Sequence, residues 1–446
     1  MGAPILEKAK KINVEFVSAN PTGPMHMGNA RGGALGDCLA AVLDAAGYQV
    51  SREFYINDAG NQIDKFALSL DIRYQQIFKG EEAVPMPEDC YQGADILERA
   101  QEFAGLNGDG YLEKSQEERQ KALVDFALPK NIAKMQSDLK KYRIEYDTWF
   151  HESVLHNDGE IQDTLKILTE KGMTYELDGA LWYKATDFGA EKDEVLVRKN
   201  GNPTYFAADI AYHRNKFQRG FDRCIDIWGA DHHGHVARMK GAMNAVGLDG
   251  SKLDVVLMQL VKLVRNGEIV RMSKRTGKAI QLADLLDEVP VDAARFLFNM
   301  REANSQMEFD LDLAVQQDAQ NPVYYVQYAH ARICSILKAL EKDGVVKRAC
   351  SEEELLLLVQ PEELSLIRHL AAYTGEVVSA AKDYDPARIT RYVIDLANLF
   401  HKFYNACRVK GEEDSLCQAR LTLCVAVKTV IHNVLTMFKI SAPESM

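Results

Sequence analysis

A strand, a helix and a second strand follow one another closely near the start of the sequence. Alternation puts Ile12, Val14 and Phe16 on one face of the first strand. Apolar residues with helical spacing follow over about 27–46, and Gly47 is placed to end that helix. The segment "YQVSREFYI" then alternates again. Because a βαβ unit of this kind has a right-handed crossover, the sequence predicts an α/β fold with a parallel sheet covered by helices.

Later segments extend this sheet and add a second domain. A long, charged, mostly helical stretch over about 61–176 predicts an insertion between two halves of the sheet. The second half includes "RCIDIWGADHHGH", a strand that leads into a helix, and Asn266-Gly267 between alternating runs predicts a tight hairpin. Long helical patterns replace the strands from residue 321 onward. We therefore expect a separate all-α bundle over 321–446.

Composition narrows the classes of protein to which the chain can belong. The longest aliphatic run, Leu355 to Val359, is far shorter than the ~20 apolar residues of a membrane helix. Eight cysteines without a C-x-x-C pair indicate neither a zinc ribbon nor a disulfide framework. The formal net charge of -12 argues against a generally basic surface, and residues 321–446 balance 15 basic against 15 acidic residues. We expect a cytoplasmic protein without a membrane span that contacts nucleic acid through local basic patches.

The turn between the first strand and the first helix, "NPTGPMHMGNARGG" at 20–33, is rich in glycine and proline. In an α/β sheet this turn lies at the carboxyl edge, where ligands collect, and the helix amides there attract phosphate. His26 and Asn29 fall on one face of the helix start and can both donate to phosphate oxygens. The stretch matches neither a P-loop nor a dinucleotide fingerprint, so its spacing alone leaves a simple tight turn equally open.

A second candidate anchor, "RMSKRTGK" at 271–278, is a basic loop that follows the predicted hairpin. Alone, it reads more simply as a solvated run of charges. Beside the glycine-rich turn, its cations would stabilise the charge that develops on a leaving pyrophosphate. The two anchors occur on opposite halves of one predicted sheet, and together they favour a polyphosphate site.

The two anchors resemble the two signatures of the class I aminoacyl-tRNA synthetases. The HIGH signature corresponds to His26-Met27-Gly28-Asn29, and the KMSKS signature corresponds to Arg271-Met272-Ser273-Lys274-Arg275. Asn29, Arg271 and Arg275 depart from these patterns, although Asn29 and Arg271 still donate to phosphate. Within the class the sequence is most similar to the arginyl-tRNA synthetases. That similarity runs nearly end to end and rests on "VEFVSANPTGPMHMGNARGGALGD", "FYINDAGNQI", "PTYFAADIAYHRNKF", "IWGADHHGH", "VDAARFLF", "NPVYYVQYAHARI" and "SAPESM".

The resemblance implies a Rossmann-like catalytic domain over 1–320 and a helical anticodon-binding domain of the DALR type over 321–446. It also implies ligation of L-arginine to tRNA(Arg) with ATP and Mg²⁺, through an arginyl-adenylate whose formation requires bound tRNA. The catalytic residues would be His26, Asn29, Arg271 and Lys274. ATP would be bound by Pro24, His26, Gly28, Asn29, Gly229, Asp231, His232, Met272, Ser273 and Lys274, with no metal held by the protein alone.

Arginine would be bound by Glu15, Ser18, Asn20, Tyr205, Asp209 and His233. A guanidinium group is planar, always charged and carries five donors, so its pocket should offer carboxylates and few competing cations. Glu15 and Asp209 meet that requirement. Asn20 would hold the α-amino group, with help from His232 or His233. A monomer is expected, and Tyr324, Tyr325, Tyr328, His401, Phe403 and Tyr404 offer aromatic surfaces for RNA bases, unless they form the core of the bundle.

Two other functions remain open at this point. "ADHHGH" offers Asp231, His232, His233 and His235 as metal ligands of a DHH-type phosphoesterase, but the first strand lacks the aspartates that such enzymes require. A degenerate synthetase that binds tRNA without charging it is the other alternative. The retained His26, Lys274, Glu15 and Asp209 argue against it.

The resemblance generates a first prediction, because members of the family usually carry an extra N-terminal domain that binds the elbow of tRNA. Only "MGAPILEKAKK" precedes Ile12 in this sequence. We expect weakened affinity for tRNA with intact adenylate chemistry, measured as aminoacylation kinetics against a version extended with such a domain. Equal kinetics for the two proteins would refute the expectation.

Overall fold

A parallel sheet forms the centre of the fold, as predicted. The computed structural model describes residues 10–270 and 280–446. In these ranges the strands are β1 (Lys11–Glu15), β2 (Gln49–Ile56), β3 (Thr148–His151), β4 (Thr174–Leu177), β5 (Ala180–Tyr183), β6 (Glu194–Val197), β7 (Arg223–Gly229), β8 (Leu253–Met258), β9 (Val261–Arg265), β10 (Glu268–Ile269) and β11 (Met307–Asp310). The central sheet has the order β3-β2-β1-β7-β8, and every neighbouring pair in it is parallel.

Helices cover the sheet and build the rest of the molecule. They are α1 (Gly28–Ala45), α2 (Asn61–Lys79), α3 (Ala94–Asn107), α4 (Gln116–Lys141), α5 (Glu152–Asn157), α6 (Glu160–Glu170), α7 (Tyr205–Gln218), α8 (His233–Val246), α9 (Leu282–Glu288), α10 (Val291–Phe298), α11 (Leu311–Val315), α12 (Pro322–Lys342), α13 (Glu352–Leu355), α14 (Pro361–Asp383), α15 (Ala387–Ala406) and α16 (Asp414–Met437). The predicted βαβ unit is β1-α1-β2, and Gly47 follows α1 with a φ of +97°.

The helix α1 lies very close to β1 because small residues face the strand. A Cβ atom added to Gly36 would lie only 2.1 Å from Cγ of Phe16, a ring that is itself fully buried. Phe16 cannot retreat, since it packs against Tyr146 with 4.6 Å between the ring centroids. Glycine at position 36 therefore sets the distance between the first helix and the sheet.

The segment predicted as an insertion is helical in its first part and joins the main sheet later. Helices α2, α3 and α4 pack around a separate apolar core that includes Phe66, Leu70, Tyr74 and Phe103. The strand β3, however, lies inside 61–176 and pairs with β2 at the edge of the central sheet. A strand of four residues between charged helices has too little alternation to be recognised from sequence.

Two small sheets flank the central one. Strands β4, β5 and β6 form an antiparallel sheet. Strands β9 and β10 form the predicted hairpin, in which Asn266 and Gly267 have φ values of +52° and +74°. Positive φ at both central residues is the geometry of a type I′ turn, which Asn-Gly favours. In the same sheet, β11 runs parallel to β9.

The C-terminal helices pack on the α/β part through a shared core. One apolar cluster runs from residues of β1 and α1 to residues of α12, α14, α15 and α16. At this junction Arg295, with no exposed side-chain area, donates to Asp37 of α1 and to the backbone oxygen atoms of Tyr142 and Phe438. Lys439 Nζ also lies 2.9 Å from Asp37. These buried contacts fix the helical part against the first helix of the sheet.

Among the helices of residues 10–270 and 280–446, α16 is long and apolar enough to cross a membrane by length and composition alone. Half of its most apolar window is buried inside the protein, and α16 packs against α12, α14 and α15. This is the environment of a central helix in a bundle.

The contact between α1 and β1 generates a stability prediction. Gly36→Ala should lower the free energy of unfolding by about 1–3 kcal/mol, because the new methyl group overlaps the Phe16 ring. Gly375→Ala is the matched control, since a Cβ at this α14 position meets nothing within 4 Å. This second change should raise stability by roughly 0.5–1 kcal/mol through helix propensity. Denaturant unfolding of both variants measures the difference, and equal effects would contradict the overlap.

Candidate active site

A cavity of about 610 Å³ opens at the carboxyl ends of β1 and β7. These strands are neighbours at the point where the strand order reverses, with β2 and β3 on one side and β8 on the other. Such a switch point is where open α/β sheets bind their ligands. The lining residues are Glu15, Val17, Ser18, Asn20, Tyr55, Asn57, Asp209, Tyr212, His213, Ile227, Trp228, Gly229, Asp231, His232, Gly234, His235 and Arg238.

The fold brings together many of the residues singled out in the sequence. The cavity is lined by Glu15, Ser18, Asn20 and Asp209 from the predicted arginine site and by Gly229, Asp231 and His232 from the predicted ATP site. Tyr205 and His233 are not among its lining residues. They are the first residues of α7 and α8, respectively.

Sequence reasoning named Asp209 on α7 but missed the polar groups that follow it on the same helix. Asp209, Tyr212, His213 and Lys216 are spaced i, i+3, i+4 and i+7, so they share one face of the helix. That spacing was visible in "DIAYHRNK" and signals a polar face turned toward the sheet. His235 of α8 also faces this group, with its Nε2 3.4 Å from Oδ2 of Asp209.

The backbone takes an unusual path where β1 enters the cavity. Val17 and Ser18 have φ values of +72° and +44°, and the Ser18 N–H donates to the Phe16 oxygen at 3.1 Å. A non-glycine residue in this region costs on the order of 1–3 kcal/mol, so its surroundings must hold it there. The Ser18 hydroxyl does so by donating to Glu15 at 2.8 Å and accepting from the Tyr55 N–H at 3.1 Å.

A buried lysine reaches Glu15 from outside the lining of the cavity, for which the sequence predicted few competing cations. Lys216 Nζ contacts Oε2 of Glu15 and lies 2.7 Å from Oδ1 of Asp226. Burial raises the pKa of Glu15, and the Lys216 ammonium only partly offsets this. Burial also acts to raise the pKa of Asp226, but Lys216 and His213 outweigh it and lower that pKa. Sequence spacing does not reveal such a partner, since Glu15 and Lys216 are distant in the chain.

His213 completes this buried group. Its Nε2 lies 2.7 Å from Oδ2 of Asp226, and its Nδ1 lies 2.7 Å from the backbone oxygen of Asp209. Both neighbours are acceptors, so they favour the charged imidazole, which carries a proton on each ring nitrogen. Burial lowers the pKa of His213, but the Asp226 carboxylate raises it by more, so this pKa lies above its ordinary value.

The predicted ATP residues at the start of α1, namely Pro24, His26, Gly28 and Asn29, are not among the residues that line this cavity. The His26 N–H donates to Asn29 Oδ1 at 3.1 Å, and the first turn of α1 contains no acidic residue. Met27 N–H donates to the Ile280 oxygen at 2.8 Å, so the glycine-rich turn pairs with the segment that directly follows residue 279. The predicted residues Arg271, Met272, Ser273 and Lys274 lie outside the described residues.

Comparison with known protein families explains this arrangement. The model of the class I tRNA synthetase (R) catalytic domain matches residues 2–337, and that of the DALR anticodon-binding domain matches residues 326–446. The chain belongs to the arginyl-tRNA synthetase family. It is 59% identical over 438 residues to the arginine--tRNA ligase of Ruminiclostridium cellulolyticum and 61% identical over 442 residues to that of Caldanaerobacter subterraneus. These alignments cover 98% and 99% of this chain and 78% of each relative.

Solved structures of synthetases share the fold. One assigned as an arginyl-tRNA synthetase of Campylobacter jejuni has a TM-score of 0.88 and 34% identity, covering 98% of this chain and 94% of its own. The Thermus thermophilus arginyl-tRNA synthetase has a TM-score of 0.80 at 24% identity and covers 100% of this chain and 84% of its own. At that identity the likeness concerns the fold alone.

Family membership removes the support for a phosphoesterase. Among residues 10–270 and 280–446, no group of three or more His, Cys, Asp or Glu side chains is placed to hold a metal ion. Asp231, His232, His233 and His235, considered above as ligands, do not converge in this part of the chain. His235 instead faces the Asp209 carboxylate of the synthetase cavity.

The buried charges of the site generate a stability prediction. Asp226→Asn should lower the free energy of unfolding by about 3–5 kcal/mol near pH 7, because it leaves charged groups buried without their partner. Since the pKa of Asp226 is lowered in the folded protein, its contribution is complete above about pH 4 and shrinks as the pH falls further.

Asp125→Asn is the control for this experiment. Asp125 pairs with Lys121 on the exposed surface of α4, where the side chains are 62% and 75% exposed. Its loss should cost less than about 1 kcal/mol. Unfolding free energies from denaturant titration, at neutral and acidic pH, decide between the two sites. A loss for Asp226→Asn as small as that of the control would contradict the interpretation.

Proposed function

We propose that this protein ligates L-arginine to tRNA(Arg) with ATP through an arginyl-adenylate intermediate. The observation that carries the proposal is the cavity at the β1/β7 switch point, in a chain of the arginyl-tRNA synthetase family. Buried and partly exposed carboxylates line this cavity, and the anion-attracting start of α1 follows the same strand β1 in the chain.

The carboxylate end of the cavity is the arginine site in this proposal. Asp209 and Glu15 accept from the guanidinium, and Asn20 holds the α-amino group. Ser18 acts by fixing Glu15, since its hydroxyl donates to that carboxylate at 2.8 Å. Tyr205 and His233 start the helices that border the cavity, and they complete the site when arginine binds. A lysine ammonium would leave acceptors unpaired in this pocket, which disfavours lysine by orders of magnitude.

The start of α1 is the ATP phosphate site. His26 and Asn29 donate to phosphate oxygens, and the turn at Pro24 leads into them. Gly28 leaves room for the His26 ring, because a Cβ there would lie 3.0 Å from that ring. Gly229 ends β7, Asp231 and His232 follow it, and these three residues bind the nucleoside. Arg271, Met272, Ser273 and Lys274 are assigned to the pyrophosphate from the sequence alone, and Mg²⁺ accompanies the ATP phosphates without a protein cage.

The chemistry is two successive group transfers. An oxygen of the arginine carboxylate attacks the α-phosphorus of ATP, and the bond from that phosphorus to the bridging oxygen of pyrophosphate breaks. The terminal 2′-hydroxyl of tRNA then attacks the arginyl carbonyl, and AMP leaves. Both steps need positioning and stabilisation of charge rather than a protein nucleophile, which suits a site made of amides, amide side chains and cations.

The helical segment 321–446 is the anticodon-binding domain in this proposal, and 1–320 is the catalytic domain. Tyr328 and Tyr404 flank Arg332, whose guanidinium carbon lies 5.6 Å and 4.3 Å from the two ring centroids. Tyr325 and His401 lie nearby, with ring centroids 4.9 Å apart and ring planes tilted by 53°. Aromatic and arginine planes of this kind stack on unpaired RNA bases. Phe403 is fully buried and belongs to the core instead.

The setting of the protein is also part of the proposal. We expect a monomer in the cytoplasm that does not bind membranes. All eight cysteines are free thiols, and seven of them are buried, as expected for a protein that functions in a reducing compartment.

Pyrophosphate exchange tests this function. Arginine-dependent exchange should appear in the presence of cognate tRNA, and Lys274→Ala and Asp209→Asn should each lower it by about 100-fold or more. Asp125→Asn on the α4 surface should leave exchange unchanged. Absence of arginine-dependent exchange with and without tRNA would overturn the enzyme assignment and favour a degenerate tRNA-binding protein.

A further inference from the structure

Lys216 is a buried cation beside a pocket proposed to bind a cation. Its side chain has no exposed area, and its ammonium contacts Glu15 and Asp226 and lies 4.5 Å from the centre of the Tyr212 ring. The reaction derived above does not use it. A fully buried lysine is rare unless it is paired, so its place at the floor of the site requires a reason.

The two carboxylates that Lys216 joins are direct neighbours in the sheet. Glu15 of β1 and Asp226 of β7 are paired residues in the parallel register. Asp226 has a second cation, since His213 Nε2 lies 2.7 Å away. In the described part of the chain, the hydrogen-bond donors that reach the Glu15 carboxylate are Lys216 and the neutral Ser18 hydroxyl. Loss of Lys216 would therefore leave Glu15, rather than Asp226, without a charged partner.

A buried carboxyl group without a cation takes up a proton. Desolvation disfavours the charged form, and a second carboxylate close by disfavours it further. A protonated Glu15 would present a hydroxyl donor to the guanidinium, where an acceptor is needed. The charge of Glu15 depends on the Lys216 ammonium, and so does its ability to accept hydrogen bonds from the arginine guanidinium.

We propose that Lys216 is a positioning residue for arginine selection, which keeps Glu15 ionised and holds its carboxylate in place at the floor of the cavity. The inference rests on the proposed function, because it takes arginine as the ligand of Glu15. Lys216 also occupies the position of an ammonium ion between the two carboxylates. A substrate ammonium therefore meets a Glu15 carboxylate that already has an ammonium partner, whereas a planar guanidinium can donate to Glu15 and Asp209 together.

The pH dependence of arginine binding at this site involves several titratable groups around Lys216 and Glu15. The helix α7 contributes Asp209, Tyr212 and His213, and Arg219 directly follows this helix. The strands contribute Asp226 and Cys224 from β7, Glu53 and Tyr55 from β2, and Glu15 from β1. Glu53 is held separately by Arg219 at 2.7 Å and by the Tyr212 hydroxyl at 2.6 Å. Asp226 has His213. Removal of Lys216 is therefore expected to change the protonation of Glu15 first.

Lys216→Met tests the proposal, because methionine keeps the length of the side chain and removes its charge. Arginine affinity is measured by titration calorimetry and as KM in tRNA-dependent pyrophosphate exchange, from about pH 6 to about pH 9. The ratio of the variant's arginine affinity to that of wild type should be about tenfold lower at about pH 6 than at about pH 9. The reason is that Glu15 of the variant binds a proton at acidic pH. The KM for ATP should stay at the wild-type value.

Arg219→Met is the matched control. Arg219 also pairs with a buried carboxylate, that of Glu53. Unlike Glu15, Glu53 does not line the cavity. This variant should lose stability while its arginine KM keeps the wild-type pH profile. The same pH-dependent loss of arginine affinity in both variants would show a general structural effect and overturn the proposal.

Lys216→Met combined with Asp226→Asn provides a second test if the single variant does not fold. It removes one cation and one anion together, which avoids an unbalanced buried charge. Arginine binding should still weaken toward acidic pH, because Glu15 still lacks its ammonium. An unchanged profile in the folded variant contradicts the role of Lys216. Absence of arginine-dependent exchange in the wild-type protein would contradict the proposed function itself, so the two failures are distinguishable.

Discussion

Charged side chains buried beneath α7 are the constraint on which the site depends. The central strands of a parallel sheet are covered on both faces and are usually apolar throughout. Here Asn13, Glu15, Glu53 and Asp226 are all buried on the central strands, and Glu15, Glu53 and Asp226 all pair with cations of α7 or of the turn that follows it. These ion pairs fix the position of α7 over the sheet, and this position places Asp209 at the cavity.

The same constraint explains how a strained turn persists at the end of β1. The backbone at Val17 and Ser18 is unfavourable for residues with a Cβ atom, yet Ser18 is bonded to Glu15 on one side and to Tyr55 on the other. Glu15 is in turn held by Lys216. The residues that lead into the glycine-rich turn are therefore held in place by these hydrogen bonds. At the other end of the turn, Met27 donates to the Ile280 oxygen directly before α1 begins.

A second buried charge relates the two domains. Asp37 of α1 meets Arg295 of α10 and Lys439 beyond the last helix, and Arg295 also donates to the Phe438 backbone. The shared apolar core surrounds these groups. Separation of the helical bundle from α1 would leave Asp37 or its cations without a partner in the protein interior, which is unfavourable. These ion pairs therefore oppose that separation. The helix that follows the glycine-rich turn is thus also the helix against which the bundle packs.

The sequence by itself determined the elements whose signals are local. Alternation and helical spacing predicted the β1-α1-β2 unit, the Asn266-Gly267 hairpin and the C-terminal helices, because these follow from residues close in the chain. The two synthetase signatures and the motifs along the rest of the chain likewise identified the family. Tertiary structure alone decided that β3 joins the central sheet and that Lys216, Asp226 and His213 lie beneath Glu15. Pairing across so many residues depends on which strands become neighbours, and the periodicity of a single segment carries no information about that.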